Sequence, residues 1–288
     1  MNWVISSLLM MLSSIVYYVI IRYAQRNGIP NKAYMLANFS VPAFFFYWFS
    51  TSQNQSIIIP FLYIAIIFVQ SFFLSYLGSI ISFKAIQNAP NAGYSLVIQK
   101  SYAVYTSIAA IFLFGSELSL IKFGAIGLVL VSSALLSIPA TTKIKGVHLT
   151  WVFFSFIAFF CYGTSALVTK YIFMQGIPSP VILFWITFFV TLFSLIDLYL
   201  HRTQLQFSLK TAKQYLLLFL IGFSVTFFYY FKQISEVTAP NIGYVGAMNT
   251  ASNGLYTVII AYIFKEHLTW KKFGIVMTIV GGILIIIL

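Results

Sequence analysis

Ala89-Pro90-Asn91-Ala92-Gly93-Tyr94 returns 150 positions later as Ala239-Pro240-Asn241-Ile242-Gly243-Tyr244. The two halves keep step around this pair. Arg22-Tyr23 with Gly28-Ile29-Pro30 matches Lys170-Tyr171 with Gly176-Ile177-Pro178, and Phe83-Lys84-Ala85-Ile86 matches Phe231-Lys232-Gln233-Ile234, both at an offset of 148. Leu118 with Lys122-Phe123-Gly124 returns as Leu268 with Lys272-Phe273-Gly274, again at 150. A shared apolar composition scatters Ile and Phe matches anywhere, whereas collinear Gly, Pro, Asn and Lys identities point to an internal duplication.

The duplicated material is apolar. Of 288 residues, 61% are hydrophobic and only 7% charged, and the mean hydropathy is +0.96. A soluble domain carries about 25% charged residues, so this chain lacks the polar surface to stay dissolved and belongs in a bilayer. A spanning helix needs about 20 mostly apolar residues. Ten such runs are found, near 3–22, 33–50, 57–83, 91–114, 119–139, 149–173, 179–200, 213–236, 240–264 and 269–288. Polar or turn-forming pieces separate them, among them Gln25-Arg26-Asn27-Gly28, Thr51-Ser52-Gln53-Asn54-Gln55-Ser56, Lys143-Ile144-Lys145-Gly146 and His201-Arg202-Thr203-Gln204. The runs are continuous rather than alternating, which favours helices over a transmembrane barrel. Each repeat, 1–140 and 149–288, holds five helices, an odd number, so the second copy enters the membrane upside down. The expected fold is an all-α integral membrane protein of ten transmembrane helices in two inverted five-helix repeats, an arrangement used by secondary transporters.

Sixteen basic residues against four acidic ones give a net charge of +12. The cations sit between apolar runs, where they orient helices and meet lipid headgroups, so they give no support to nucleic-acid binding. Twelve Lys and Arg fall on one side of a ten-helix topology, and Lys122, Lys170 and Lys232 fall on the other. That count predicts both termini outside. No Lys or Arg precedes the first run and no small-residue cleavage site follows it, so it reads as a retained helix. The single cysteine, Cys161, excludes an intrachain disulfide. His148, His201 and His267 fall in separate loops without metal-ligand spacing, and no phosphate-binding G-x-x-x-x-G-K-[ST] loop is present, so no cofactor is expected.

Lys100 stands out. It lies roughly 14 Å along the fourth run from Asn91 and roughly 21 Å from Phe114, at 1.5 Å per residue. A lysine so deep costs at least about 2.5–3.5 kcal/mol and should face the bundle interior or a watery cavity with a partner. Asp197, Glu117, Glu236 and Glu266 all read as helix ends or loops, so an anionic substrate group is a natural partner. The competing reading has Lys100 holding helices together through backbone carbonyls and tyrosine hydroxyls. On the ninth run Gly246, Asn249, Asn253, Tyr256 and Ile260 share one face, with Thr250 and Ser252 adjoining. Interhelical hydrogen bonding would produce the same stripe. Further candidates are Gln99, Tyr102 and Tyr105 beside Lys100, Ser13, Ser14, Tyr17 and Tyr18 on the first helix, Cys161, Tyr162, Thr164 and Ser165 on its repeat partner, Gln70 on the third, and Tyr229 and Tyr230 as an aromatic wall.

Phe264-Lys265-Glu266-His267-Leu268-Thr269, followed by Phe273-Gly274 and a last helix bearing Gly281-Gly282, resembles the closing segment of EamA-type transporters of the drug/metabolite transporter superfamily. Phe114-Gly115-Ser116-Glu117-Leu118-Ser119 with Phe123-Gly124 is its counterpart in the first half. The resemblance implies a multi-pass protein of the bacterial inner membrane that moves a small metabolite or drug, with helices four and nine lining the cavity. It also implies cytoplasmic termini, opposite to the charge count. The expected site is therefore Lys100, Asn249, Asn253, Tyr256, Gln99, Tyr102, Ser252 and Tyr17. Its expected partners are a small-molecule substrate and membrane lipid, with amino acids, common cargo of related transporters, as the leading class. The alternatives are an exporter of drugs or organic amines and a membrane-embedded lipid-modifying enzyme. The second would need the clustered histidines or carboxylates that this chain lacks.

Overall fold

The computed structural model describes residues 2–29, 31–89, 95, 98–137, 150–200, 211–263 and 270–288. Among them ten helices form: α1 (Trp3–Arg26), α2 (Asn31–Ser52), α3 in three consecutive pieces (Phe61–Val69, Gln70–Leu77 and Gly78–Asn88), α4 (Tyr102–Phe114), α5 (Leu120–Ser137), α6 (Thr150–Met174), α7 (Ser179–Leu200), α8 (Ala212–Thr238), α9 (Ile242–Ile263) and α10 (Trp270–Ile287). No strand occurs among the described residues. By length and composition α1, α3, α6, α7 and α8 can each cross a bilayer, and the chain is an all-α, multi-pass membrane protein.

Side chains are distributed as lipid demands. On α1 the large residues Leu8, Leu12 and Val16 are exposed, while Ser6, Ser7 and Ser14 are buried. Small residues inside allow close helix approach, and large apolar ones outside meet acyl chains. α1 packs on α8 and α9, α2 on α7 and α8, α3 on α6 and α7, α4 on α6 and α9, and α5 on α9 and α10. Replacing each helix by the one five places along maps α1–α8 onto α6–α3, α1–α9 onto α6–α4 and α2–α8 onto α7–α3.

The second copy of the opening motif explains its own composition. Asn241 Oδ1 accepts from the Gly243 amide at 2.9 Å, starting α9, and its Nδ2 donates to the Ser107 carbonyl of α4 at 3.2 Å. A Cβ on Gly243 would collide with Ser107 Oγ and approach the Ala103 carbonyl oxygen to 2.8 Å. Tyr244 then donates to the Glu117 carbonyl at 3.3 Å. The first copy, Pro90 to Tyr94, lies outside the described residues, as do His148, His201, Glu266 and His267.

Three expectations need correction. The fourth helix is not a continuous 91–114 rod. It breaks at Ser101 (φ −62, ψ −5), where the Ser101 amide donates to the Ile98 carbonyl and the Val104 amide to the Ser101 carbonyl, a tighter turn than an α-helix. The third helix starts at Phe61 behind Pro60, runs to Asn88, and contains a π-helical segment, Gln70–Leu77. α8 starts behind a capping box between Thr211 and Gln214 and continues to Thr238, so Glu236, read as a helix end, and Lys232, counted with the charges between runs, both lie inside the helix. Lys170 likewise lies within α6, is buried, and donates to the Ala239 carbonyl at the end of α8 at 3.1 Å.

Candidate substrate site

α4 and α8 are not among the extensively packed helix pairs, and polar side chains on or next to them interact electrostatically. Lys100, immediately before the Ser101 break, and Tyr102, just after it, lie within electrostatic reach of Lys232 on α8. Tyr18 of α1 and Tyr162 of α6 are within reach of Lys232 as well. Lys100, Lys232, Tyr18, Tyr162, Tyr229 and Tyr256 are all half-buried.

Lys232 Nζ is 3.0 Å from Glu236 Oε1, one helical turn on, and Glu236 is buried at 2% exposure. Lys170 also acts on Glu236 electrostatically. The carboxylate is therefore paired with Lys232 and feels Lys170 electrostatically. Lys100 has neither an ion pair nor a hydrogen bond among the described residues.

Tyrosines line the site from the opposite side. The Tyr17 and Tyr18 rings are 5.0 Å apart, Tyr17 stacks on Phe228 at 6.2 Å, and Tyr18 lies 5.6 Å from Tyr256. Asn38 Nδ2 reaches the Tyr229 hydroxyl at 3.5 Å, and Asn249 Nδ2 reaches the Tyr102 hydroxyl at 3.3 Å. The other ends of these amides, Asn38 Oδ1 and Asn249 Oδ1, are buried without a hydrogen bond. Leaving a buried acceptor unpaired costs about 1–3 kcal/mol, so each such group calls for a partner.

The structure thus brings Lys100, Tyr102, Asn249, Tyr256 and Tyr17 around one interior region. Two other expected site residues have their hydrogen bonds committed elsewhere. Gln99 Oε1 accepts from Ser82 at 2.7 Å and its Nε2 donates to Ser95 at 2.9 Å, and Ser95 in turn bonds Ser155 at 2.8 Å. That buried chain ties α3 and α6 to the start of α4. Ser252 bonds Ser14 of α1 at 2.7 Å and its own Asn249 carbonyl at 2.7 Å. The Asn253 side chain lies outside what is described. Lys232, Glu236 and Asn38 are absent from the sequence-derived set. The spacing of Lys232 and Glu236, four residues apart on a helical run, was the signal for the first two.

Among the described residues no group of His, Cys, Asp and Glu could hold a metal ion. Residues 149–288 match the EamA-like transporter family, a match that indicates a membrane transporter of the drug/metabolite superfamily. A solved structure titled only "Crystal structure of protein" superposes with a TM-score of 0.79 at 12% identity, over 98% of this chain and 97% of the other. At that identity the likeness extends to the fold. No curated protein matches the sequence.

Proposed function

We propose that this transporter carries a small carboxylated or zwitterionic metabolite, an amino acid or close relative, across the bacterial inner membrane by alternating access. The observation that carries this reading is Lys100: a cation inside the bundle, at a helix break, with no carboxylate partner among the described residues. A substrate carboxylate supplies the partner, and charge-assisted hydrogen bonds are the strong ones in a site of low polarity. Asn249 Oδ1 and Asn38 Oδ1 can accept from a substrate ammonium, and the tyrosine faces add cation–π attraction. Ser101 interrupts α4 beside the lysine, as discontinuous helices do at transporter substrate sites.

Alternating access requires two halves that exchange roles. The collinear sequence repeat and the symmetric helix pairing support reading them as inverted copies, 1–140 and 149–288. The tyrosine cluster with its two unpaired acceptors is the specific feature that favours a second reading, an exporter of organic amines.

The test is thermal stabilisation of purified protein by amino acids, organic acids, phosphorylated metabolites and organic cations, repeated with Lys100→Gln. Ligands that bind the folded state raise its melting temperature by mass action. Stabilisation by carboxylated compounds that disappears in the variant supports the proposal. Equal stabilisation of both proteins by organic cations replaces it with the amine reading.

A further inference from the structure

A small apolar cluster, separate from the main core, joins three helices at one end of the candidate site. Ala110 of α4, Ala166 and Leu167 of α6 and Ile242 of α9 are buried together, with Phe114 packed against them. Phe114 is the last residue of α4, Ile242 is the first of α9, and α8 ends close by at Thr238. α4 and α9 run antiparallel, with Gly243 against Ser107 and Gly246 against Ala103, whereas α4 and α6 run parallel, with Gly163 against Tyr105 and Lys170 over Phe114. The cluster is therefore displaced from the site in one direction on all three helices. At 1.5 Å per residue, Ala110 lies about 12 Å beyond Tyr102, Leu167 about 8 Å beyond Tyr162, and Ile242 about 10 Å before Asn249.

Lys170 fastens this end. Its ammonium, 7% exposed, donates to the Ala239 carbonyl at 3.1 Å and stands 5.6 Å above the Phe114 ring. Ala239 caps α8 in an extended conformation, and a carbonyl at a helix end has no partner within its own helix. A lysine in the last turn of the same helix is the usual way to serve such a carbonyl. Here the lysine comes from α6, which among the described residues packs extensively on α3 but only lightly on α8. Burying a cation in a membrane protein is costly, and more than one neutral carbonyl requires. What the bond adds is a single polar tie, across light packing, between α6, the α8–α9 corner and the end of α4. The duplication gives position 170 a cationic counterpart, Arg22 on α1. We propose that the Ala110–Leu167–Ile242 cluster is a gate closing one end of the substrate site and that Lys170 is its latch. The proposal rests on the alternating-access reading and deepens it, because it names the contacts that part when the site opens to this face.

The experiment measures how fast a membrane-impermeant maleimide reaches the site from each face, in intact cells and in inverted membrane vesicles. Cys161, the single cysteine, is replaced by serine, and Asn249→Cys supplies the reporter. Ser119→Cys, at an exposed position just beyond α4, identifies the preparation that presents the cluster's face. From that face the reporter is expected to react about tenfold or more faster with Lys170→Met, the size of one charged hydrogen bond, and near the parent rate with Lys170→Arg. Leu167→Ala, which thins the cluster and leaves the lysine in place, should also accelerate labelling. Gln99→Leu loosens the opposite end of α4 and should leave the rate unchanged. A reporter that labels from the opposite face, but no faster from the cluster's face in Lys170→Met and Leu167→Ala, overturns the gate and leaves alternating access standing. Equal acceleration by Gln99→Leu overturns the latch, since any loosening of the bundle would then suffice. A reporter that labels from neither face in any variant overturns the interior site itself, and the gate with it.

Discussion

Gly243→Ala tests the tightest helix crossing near the site. An added Cβ would collide with Ser107 Oγ, stand 2.6 Å from Ser107 Cβ and come within 2.8 Å of the Ala103 carbonyl oxygen. Three neighbours, one of them backbone, leave no side-chain rotation that relieves the overlap, so α4 and α9 must separate. Overpacking of this kind costs about 1–3 kcal/mol. Separation also stretches the Asn241 bonds to the Ser107 and Glu117 carbonyls, 3.2 and 3.5 Å long, and interhelical bonds in membranes contribute about 0.6 kcal/mol each. The expected destabilisation is therefore about 2–4 kcal/mol. It is read as a shift in reversible denaturant unfolding of the purified protein in detergent. Ser107→Gly removes the first two of these clashes at a helix cost of about 1 kcal/mol, so the double variant should show a favourable coupling of about 1 kcal/mol or more. A Gly243→Ala protein as stable as wild type, or strictly additive single changes, would refute the close-packed crossing.

Gln99→Leu should lower stability by about 1–3 kcal/mol by breaking the Ser82–Gln99–Ser95 chain, yet leave ligand affinity unchanged in titration. Tyr102→Phe removes the Asn249 partner at 3.3 Å, and is expected to cost about 0.6 kcal/mol of stability in denaturant unfolding while weakening ligand binding in titration. Lys170→Met deletes the bond to the Ala239 carbonyl and the contact 5.6 Å above the Phe114 ring, and should cost about 1.5–3 kcal/mol in the same unfolding assay.

What the sequence makes legible follows the length scale of the signal. Ten continuous apolar runs dominate composition, so the helices and their order are readable, and the second-copy motif is readable because Asn241 bonds the Ser107 carbonyl of α4, Gly243 lets Ser107 approach and Tyr244 bonds the Glu117 carbonyl just beyond α4. The break at Ser101 has no Gly or Pro to announce it. Nor has the π-helical segment, where Gln70 donates to Ser165 and Thr169 on α6 from a register that periodicity does not reveal. Lys232 and Glu236 were obscured because charges at the end of an apolar run read as its boundary, whereas hydrogen bonding continues the helix to Thr238. Gln99 and Ser252 illustrate the converse. A polar side chain on an interior face looks the same in sequence whether it awaits a ligand or already has Ser82 or Ser14 as its partner. Asn38 was hidden as a lone amide between Leu36, Ala37 and Phe39, where α2 reads as an ordinary apolar run.

Transport through the Lys100 site is tested most directly by uptake of radiolabelled L-amino acids into liposomes reconstituted with wild type or Lys100→Gln. Saturable uptake competed by unlabelled carboxylated compounds, and reduced about tenfold or more by the substitution, is the expected result. Uptake that rises linearly with concentration, or that the substitution leaves intact, would contradict a substrate site built around this lysine.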